Sequence, residues 1–253
     1  MVCDLQKGSL WKRTAAWVFD GIIVIALAVG LGFLLSVALG YDGYSEALNG
    51  AYARYEEEYG IVFDISQEAY AAMTDTQRQN YDAAYSALIA DEAAMHAYNM
   101  MVNLMLVITS SGILLATVLW ELLLPLWFGN GQTLGKKIFG LCLIRNDGVK
   151  LNNMQLFTRT ILGKFTIETM IPVYILLMIF WGTAGIGGTM ILFALLIGQL
   201  VCVAVSRTNS AIHDLLAGTV VVDLASQMIF RTTEDLIAYQ KKAAAERAAR
   251  QPY

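Results

Sequence analysis

The stretch WKRTAAWVFDGIIVIALAVGLGFLLSVAL, residues 11–39, decides the fold because it is long and apolar enough to cross a bilayer. Its apolar run exceeds the ~20 residues that a spanning helix needs. The apolar core of a secretory signal peptide is shorter, about 7–15 residues, so we expect a retained membrane helix. One acid, Asp20, interrupts the run. Because a charge at the centre of a spanning helix costs roughly 2.5–3.5 kcal/mol, other groups must compensate this carboxylate.

The composition of the whole chain indicates an integral membrane protein. Hydrophobic residues make up 57% of the 253 residues and charged residues 15%, and the mean hydropathy is +0.54. Soluble domains carry about 25% charged residues. Four apolar stretches predict transmembrane helices within residues 15–39, 100–128, 161–181 and 188–205.

Charge is distributed unevenly along the chain. Residues 41–99 contain eleven acids and two bases, a net charge of −9, whereas the rest carries 15 bases and 10 acids. Lys and Arg close to membrane spans favour the cytoplasmic side. They precede the first predicted span, lie between the second and third, and follow the fourth. The prediction is a multi-pass protein of the cell membrane, with both termini cytoplasmic and the acidic segment outside.

The fold class that follows is an all-α polytopic membrane protein. It has four transmembrane helices, an extracytoplasmic helical hairpin and a small cytoplasmic β-hairpin element. The predicted segments are the N-terminus with the first span (1–40), the acidic insert (41–99), the second span (100–128), a cytoplasmic loop (129–160), the third and fourth spans (161–205) and a cytoplasmic C-terminal segment with a helix (206–253).

The acidic insert is expected to form two helices. Leucine and tyrosine side chains recur at helical spacing between Leu48 and Tyr59, and Gly60 is placed to end that helix. The sequence TDTQ at 74–77 fits the capping box of a second helix. Since no Gly or Pro separates this second helix from the second span, we predict that the two are continuous.

The cytoplasmic β element is predicted from a turn signal. LCLIR (141–145) and VKL (149–151) flank Asn146-Asp147-Gly148, which is typical of a β-hairpin. TVVVD (219–223) is a further strand that can join it. A short helix is expected just before TVVVD, with Ser210 as its N-cap and Gly218 at its end.

Three features in order resemble the RDD family of membrane proteins. They are Arg13 followed seven residues later by Asp20, GQTLGKKIFGLCLI (131–144) with its DG turn, and HDLLAGTVVV (213–222). The resemblance places the arginine and two aspartates of the family name on Arg13, Asp20 and Asp214. It covers residues 10–39 and about 100–223, so it says nothing of the acidic insert. Some members are assigned cation/proton antiport, which the resemblance implies here; Lys137 stands where the family often has Arg.

Asp20 allows two interpretations. Arg13 and Asp20 lie two turns apart, about 10 Å, on nearly one face of the first helix. In the structural interpretation Arg13, Asp20 and Asp214 form ion pairs that hold the cytoplasmic loops against this helix. The cations expected to face Asp20 from the later segments are Lys136, Lys137, Arg159 and Arg207.

In the functional interpretation Asp20 lies in a hydrated cavity and binds a proton or a small monovalent cation alternately. Glu121 in the second span is its natural companion, although an acid near the end of a span also fits the interface. Glu168 has a plain explanation as the i,i+4 partner of Lys164. The residues of the predicted transport or structural charge network are Arg13, Asp20, Glu121, Lys136, Arg207 and Asp214.

The remaining motifs do not indicate enzymatic chemistry. GxxxGKK around Gly135 lacks the spacing of a nucleotide-binding loop, and the adjacent His213 and Asp214 come with no activated nucleophile. We therefore expect no enzyme, no catalytic residue, no cofactor, no bound metal cofactor and no nucleic-acid partner. The function predicted is small-ion or solute transport in the lipid bilayer, in the form of Na⁺/H⁺ exchange through intramembrane carboxylates. The alternative is a non-transporting adaptor or scaffold that docks a membrane partner protein. Because four spans make a thin bundle for a conduction path, a homo-oligomer is expected if the protein transports.

Overall fold

The computed structural model describes residues 5–181 and 185–250, and these residues form two compact units. The first unit comprises residues 1–28 and 113–253, and the second comprises residues 29–112. Helices dominate both units. The prediction of a mostly helical protein with apolar membrane helices is confirmed.

The helices of the N-terminal half follow one another closely. They are α1 Leu10–Leu39, α2 Tyr41–Tyr59, α3 Gln67–Ala71, α4 Asp75–Ala90 and α5 Glu92–Thr117, which continues through a π-helical segment, π1 Val118–Leu123, into α6 Leu124–Phe128.

The C-terminal half contains the two strands. Its elements are α7 Leu134–Ile138, β1 Leu141–Arg145, α8 Asn153–Phe157, the π-helical segment π2 Thr158–Glu168, α9 Ile171–Trp181, α10 Gly185–Val205, α11 Ile212–Ala217, β2 Thr219–Asp223 and α12 Thr233–Arg250.

Three helical stretches are long and apolar enough to cross a membrane, namely Leu10–Leu39, Glu92–Phe128 and Ile186–Val205. The third predicted span is not one straight helix. Asn153–Glu168 and Ile171–Leu177 meet at a bend of 48°, where Met170 has a φ of 57°, which is uncommon outside glycine. A bent pair fits either one broken span or a re-entrant loop, so the four-span topology and the orientation of the termini stay predictions. Residues 182–184, between the third and fourth predicted spans, lie outside the described residues.

The acidic insert forms the expected helix pair. Helix α2 ends at Gly60 in the left-handed conformation, and α4 begins with the capping box between Thr74 and Gln77, so both local predictions are confirmed. Ala51 and Leu88 bring α2 and α4 together in a small core that tyrosine rings and Phe63 complete.

The predicted continuity between α4 and the second span is wrong. Asp91 has an extended backbone conformation, with φ −75° and ψ 105°, and separates α4 from α5. Its carboxylate accepts hydrogen bonds from the amides of Ala93 and Ala94 and pairs with Arg54. The break between the two helices therefore comes from an aspartate that caps the following helix, and it needs no Gly or Pro.

The β element is built from distant segments. Strand β1 pairs antiparallel with β2, with Leu141 opposite Asp223 and Arg145 opposite Thr219. The turn at 146–148 forms as expected, but the segment after it adds only isolated bridges, of Lys150 with Ile144 and of Val149 with Phe230. TVVVD therefore joins β1 as predicted, whereas the predicted VKL strand does not form a continuous ladder.

The short helix before β2 also forms, with one correction. Helix α11 ends at Gly218 as predicted, but its N-cap is Ala211 and not Ser210. The Ser210 hydroxyl is instead 2.7 Å from that of Thr208, so it is not available to cap the helix.

The capping box of α4 gives a direct test of this local structure. Replacing Thr74 by Ala removes the side-chain acceptor of the Gln77 amide, and the loss of such a cap costs about 1 kcal/mol. We expect the first-turn amides of α4 in the full-length protein to exchange with solvent roughly fivefold faster. Hydrogen exchange read by mass spectrometry measures this rate. Thr74→Ser keeps the hydroxyl and should exchange like the wild type; equal acceleration in both variants would contradict the cap.

Candidate functional site

Asp20 is buried in α1 and is compensated by uncharged donors. It is 3% exposed. Its carboxylate accepts hydrogen bonds from Trp120 Nε1 at 2.9 Å, the Gly135 amide at 2.9 Å and Thr133 Oγ1 at 2.5 Å. Among the described residues, none of the cations expected from the sequence forms an ion pair with it. Three donors that fold against α1 therefore satisfy the carboxylate without neutralising its charge.

Gly135 allows the loop after α6 to approach α1 closely. A Cβ atom at this position would lie 2.6 Å from the Ala16 carbonyl oxygen and 2.9 Å from the Asp20 carboxylate. Thr133 caps the short helix α7 at the same place. This contact delivers the next residue, Lys136, into the interior of the unit, where it is buried.

Two π-helical segments carry most of the other charged residues of the site. Glu121 lies in π1, while Arg159, Lys164 and Glu168 lie in π2. π-Helical turns are rare and are found frequently at functional sites. Propensity and periodicity give no signal for them, and the sequence analysis did not anticipate either segment.

Glu121 lies among three cations and is only half satisfied. Its Oε1 accepts a hydrogen bond from Lys164 Nζ at 2.5 Å. Its Oε2 lies 3.9 Å from Lys136 Nζ and 3.8 Å from Arg159 Nη1, and this buried oxygen accepts no hydrogen bond from any described residue. A buried oxygen without a donor indicates room for a bound group.

Lys136 connects Glu121 to Asp20. Its Nζ donates a hydrogen bond to Thr133 Oγ1 at 3.2 Å, and Thr133 donates to Asp20. Burial lowers the pKa of Lys136 to about 8, although the charge of Glu121 acts in the opposite direction. This ammonium therefore lies beside the Glu121 carboxylate and reaches Asp20 through the Thr133 hydroxyl.

Asp214 is fully charge-paired. Arg159 Nε donates to its Oδ1 at 2.8 Å, Thr219 Oγ1 donates at 3.1 Å, and Arg13 Nη2 lies 3.7 Å away. Burial alone would raise the pKa of Asp214, but the Arg159 guanidinium and the other neighbouring charges outweigh it and hold the pKa well below its ordinary value. Arg13 and Asp214 thus meet as the clamp interpretation predicts, without Asp20 as a third charged partner.

His213 extends the network to α10. Its Nδ1 lies 2.5 Å from Glu168 Oε1 and its Nε2 lies 2.9 Å from Arg159 Nη2. Because a guanidinium only donates, Nε2 accepts and the proton of the neutral ring sits on Nδ1. Burial lowers the pKa of His213, in agreement with a neutral ring. Gln199 of α10 donates to Glu168 at 2.8 Å and accepts from the Ile212 amide at 3.0 Å.

The structure brings together five of the six predicted network residues and leaves one outside. Arg207 is exposed after α10 and forms no ion pair with a described residue. Arg159 was expected beside Asp20 but joins Asp214 and approaches Glu121, and Glu168 pairs with His213. Trp120 and Thr133 were not predicted as partners of Asp20, although Thr133, as the N-cap of α7, carries a local signal.

A cavity of about 750 Å³ lies over this network within the first unit. Its floor is charged, and its walls are apolar side chains of α1 and α10, including Trp17, Leu196 and Leu200. Asp20, Glu121 and Lys136 all line it. The described residues contain no cluster of metal-ligating side chains.

The apolar helices and the buried charges define this chain as a multi-pass membrane protein with a buried charge network. It belongs to the RDD family, whose model matches residues 7–218. It is similar to the uncharacterized protein YckC of Bacillus subtilis (strain 168), with 29% identity over 107 residues, which are 42% of this chain. The matched part spans 56% of that relative's length. No solved structure matches the chain.

Removing the charge of Asp214 should destabilise the protein strongly. Asp214→Asn leaves Arg159 and Arg13 buried without their anion, and breaking a buried ion pair costs roughly 3–5 kcal/mol. Because the folded-state pKa of Asp214 is depressed, its contribution is fully present above about pH 4 and is lost only in stronger acid. The free energy of unfolding in detergent micelles measures the effect.

Asp223→Asn is the matched control for this substitution. Asp223 pairs with Lys12 at 2.7 Å, but the Lys12 side chain is 47% exposed. Exposed pairs contribute about 0–1 kcal/mol. Equal losses of stability in the two variants would contradict the central place of Asp214.

Gly135→Ala should disrupt the contact between α7 and α1. The added Cβ meets backbone and carboxylate atoms that cannot both retreat, and overpacking of this kind costs about 1–3 kcal/mol. In Gly21→Ala nothing lies within 4 Å of the new Cβ, and the change within a helix should stabilise by roughly 0.5–1 kcal/mol. Unfolding free energy and the indole N–H resonance of Trp120, which bonds to Asp20, report the outcome. Identical behaviour of the two variants would show that the close approach is unimportant.

Proposed function

We propose that this protein transports a small ion or solute, and specifically that it exchanges a monovalent cation for the proton of Lys136. The observation that carries the proposal is the buried Glu121 Oε2, which lines the cavity without a hydrogen-bond donor while the Lys136 ammonium lies 3.9 Å away. The Lys136 ammonium lies where a cation bound to Glu121 would lie. We propose Na⁺ as this cation.

The exchange follows from charge balance. Protonated Lys136 sits between Glu121 and the Thr133 hydroxyl that bonds to Asp20. When Lys136 loses its proton, the site loses one positive charge, and a monovalent cation near Glu121 Oε2 and Thr133 Oγ1 replaces it. One proton is thereby exchanged for one cation. A divalent ion would leave an extra positive charge beside Arg159 and Lys164, so the site favours single charges.

The contacts support Glu121 rather than Asp20 as the ligand of the proposed exchange. Both Asp20 oxygens already accept hydrogen bonds, from Trp120, Gly135 and Thr133. Cation binding there would require these donors to leave. Glu121 has an oxygen free of such bonds, which makes Glu121 the more suitable ligand.

The direction of the pH dependence follows from the lowered pKa of Lys136, about 8. Below this value the ammonium is retained and competes with the cation. Above it the neutral amine leaves the site to the cation. Exchange by this route is favoured near pH 8, where both forms are populated.

Everted membrane vesicles test the proposal. We expect Na⁺ to dissipate an imposed pH gradient in the wild type, and we expect Lys136→Gln and Glu121→Gln to lower the rate by roughly 100-fold, the order of magnitude for removal of a proton-transferring group. Lys137→Gln is the matched control, because Lys137 is exposed and lies over the ring of Phe128, 4.2 Å from its centroid. A proton-sensitive dye records the gradient.

Two outcomes would contradict the proposal. A flat response to Na⁺, Li⁺ and K⁺ in well-expressed wild type would reject cation exchange and favour a non-transporting adaptor. Full activity in Lys136→Gln would place the proton on another group.

A further inference from the structure

We propose that the cavity is also a binding site for an amphiphilic carboxylic acid, with its carboxyl group against Lys136 and Arg159 and its apolar body between α1 and α10. This ligand goes beyond cation exchange, and its binding does not depend on transport. Three features of the cavity carry the inference: unused donors, an unpartnered acceptor and apolar walls.

The polar end has hydrogen-bonding capacity that the protein does not use. Arg159 Nη1 donates to no described residue, although it lies 3.8 Å from Glu121 Oε2. Lys136 Nζ makes one hydrogen bond, to Thr133, of the three that an ammonium can make. A carboxyl group supplies two acceptor oxygens for these cations, and charge-assisted hydrogen bonds of this kind are strong.

Glu121 Oε2 faces the same space. This oxygen is buried, accepts no hydrogen bond and lines the cavity. A ligand that only accepts would leave it unsatisfied. A carboxylic acid can place a shared proton between its own oxygen and Glu121 Oε2, since two carboxyl groups at one site do not both ionise easily.

The other end of the cavity suits an apolar body. Trp17 of α1 and Leu200 of α10 line it and are 68% and 71% exposed, so this end opens at the surface of two apolar helices. Leu196 and Val203 extend the same wall. The volume of about 750 Å³ falls within the ~300–1,000 Å³ of small-molecule sites. A monovalent cation leaves most of this space empty.

The charges select an acid over an amine or a neutral amphiphile. Lys136 is faced by Glu121, Asp20, Arg159 and Lys164. An organic ammonium would meet the last two cations as well as Lys136, whereas an alcohol would bring no charge to the unused donors. The acid requires protonated Lys136 and the exchanged cation requires the neutral amine, so the two ligands exclude each other.

Photolabelling of the full-length protein in phosphatidylcholine nanodiscs tests the site. The probe is a 16-carbon carboxylic acid carrying a diazirine, and its comparison is the matching primary alcohol. We expect the acid to label the peptides of α1 around Trp17 and of α10 around Leu200 about tenfold more than the alcohol, because only the acid forms charge-assisted bonds. Labelling by the acid should fall as the pH rises from 7 to 9.5 through the pKa of Lys136, about 8.

Variants of neighbouring lysines locate the carboxyl end. Lys136→Gln should lower labelling by the acid about tenfold, Lys136→Arg should retain it because the charge remains, and Lys137→Gln should leave it unchanged. If Lys136→Gln does not fold, the pH dependence of labelling in the wild type tests the role of Lys136 instead. A loss of labelling at pH 7 in nanodiscs that contain phosphatidylglycerol would assign the site to an anionic phospholipid and overturn the free acid.

Other results would also overturn the inference. These are equal labelling by acid and alcohol, labels spread over every lipid-facing helix, or no response to either pH or Lys136→Gln. Because labelling needs no ion gradient, it succeeds or fails independently of Na⁺/H⁺ exchange. Labelling by the acid in a protein without exchange activity would support the acid site and reject the exchange.

Discussion

The rest of the first unit depends on how the Asp20 carboxylate is satisfied inside an apolar helix. Asp20 is only 3% exposed, so the chain itself must provide donors for it. Trp120 comes from π1, and Thr133 and Gly135 come from the loop that follows α6. Their attachment to α1 fixes α7, and α7 delivers Lys136 to Glu121. The contacts that satisfy Asp20 in α1 thereby place Lys136 beside Glu121, whose carboxylate is less completely satisfied.

The three buried acids among the described residues, Asp20, Asp214 and Glu121, differ in how their carboxylate oxygens are satisfied. Asp20 accepts three bonds from neutral donors, and Asp214 is paired with Arg159 and Arg13. Both are complete, which suits residues that hold segments together. Glu121 keeps one buried oxygen without a donor. Buried polar networks are stable when every member is satisfied, so the incomplete member, Glu121, is the residue at which we propose cation binding.

Features set by local sequence were predictable, and most features set by distant contacts were not. Gly60, Gly218 and the Thr74 capping box act within one turn, and each was confirmed. The pairing of TVVVD with β1 was predicted from its strand pattern, whereas the reduction of VKL to isolated bridges was not, because a turn signal does not report how many ladder bonds follow it. The neutral donors of Asp20 were not predicted for a related reason. The partners expected for a carboxylate were cations, whereas its actual donors are indole, hydroxyl and amide groups. The π-helical segments leave no periodic signature, and they rearranged the partners expected for Arg159 and Glu168.

The balance of charges in the network indicates which group can change its protonation. With His213 neutral, four cations face four carboxylates: Arg13, Lys136, Arg159 and Lys164 against Asp20, Glu121, Glu168 and Asp214. The arginines stay charged at any physiological pH. Protonating His213 would remove the acceptor of Arg159 Nη2 and add a positive charge beside it. Lys164 is tied directly to Glu121, whereas Lys136 makes a single hydrogen bond to a hydroxyl. Of the two lysines, Lys136 is the one that donates no hydrogen bond to a carboxylate, and the proposed exchange therefore assigns the proton to it.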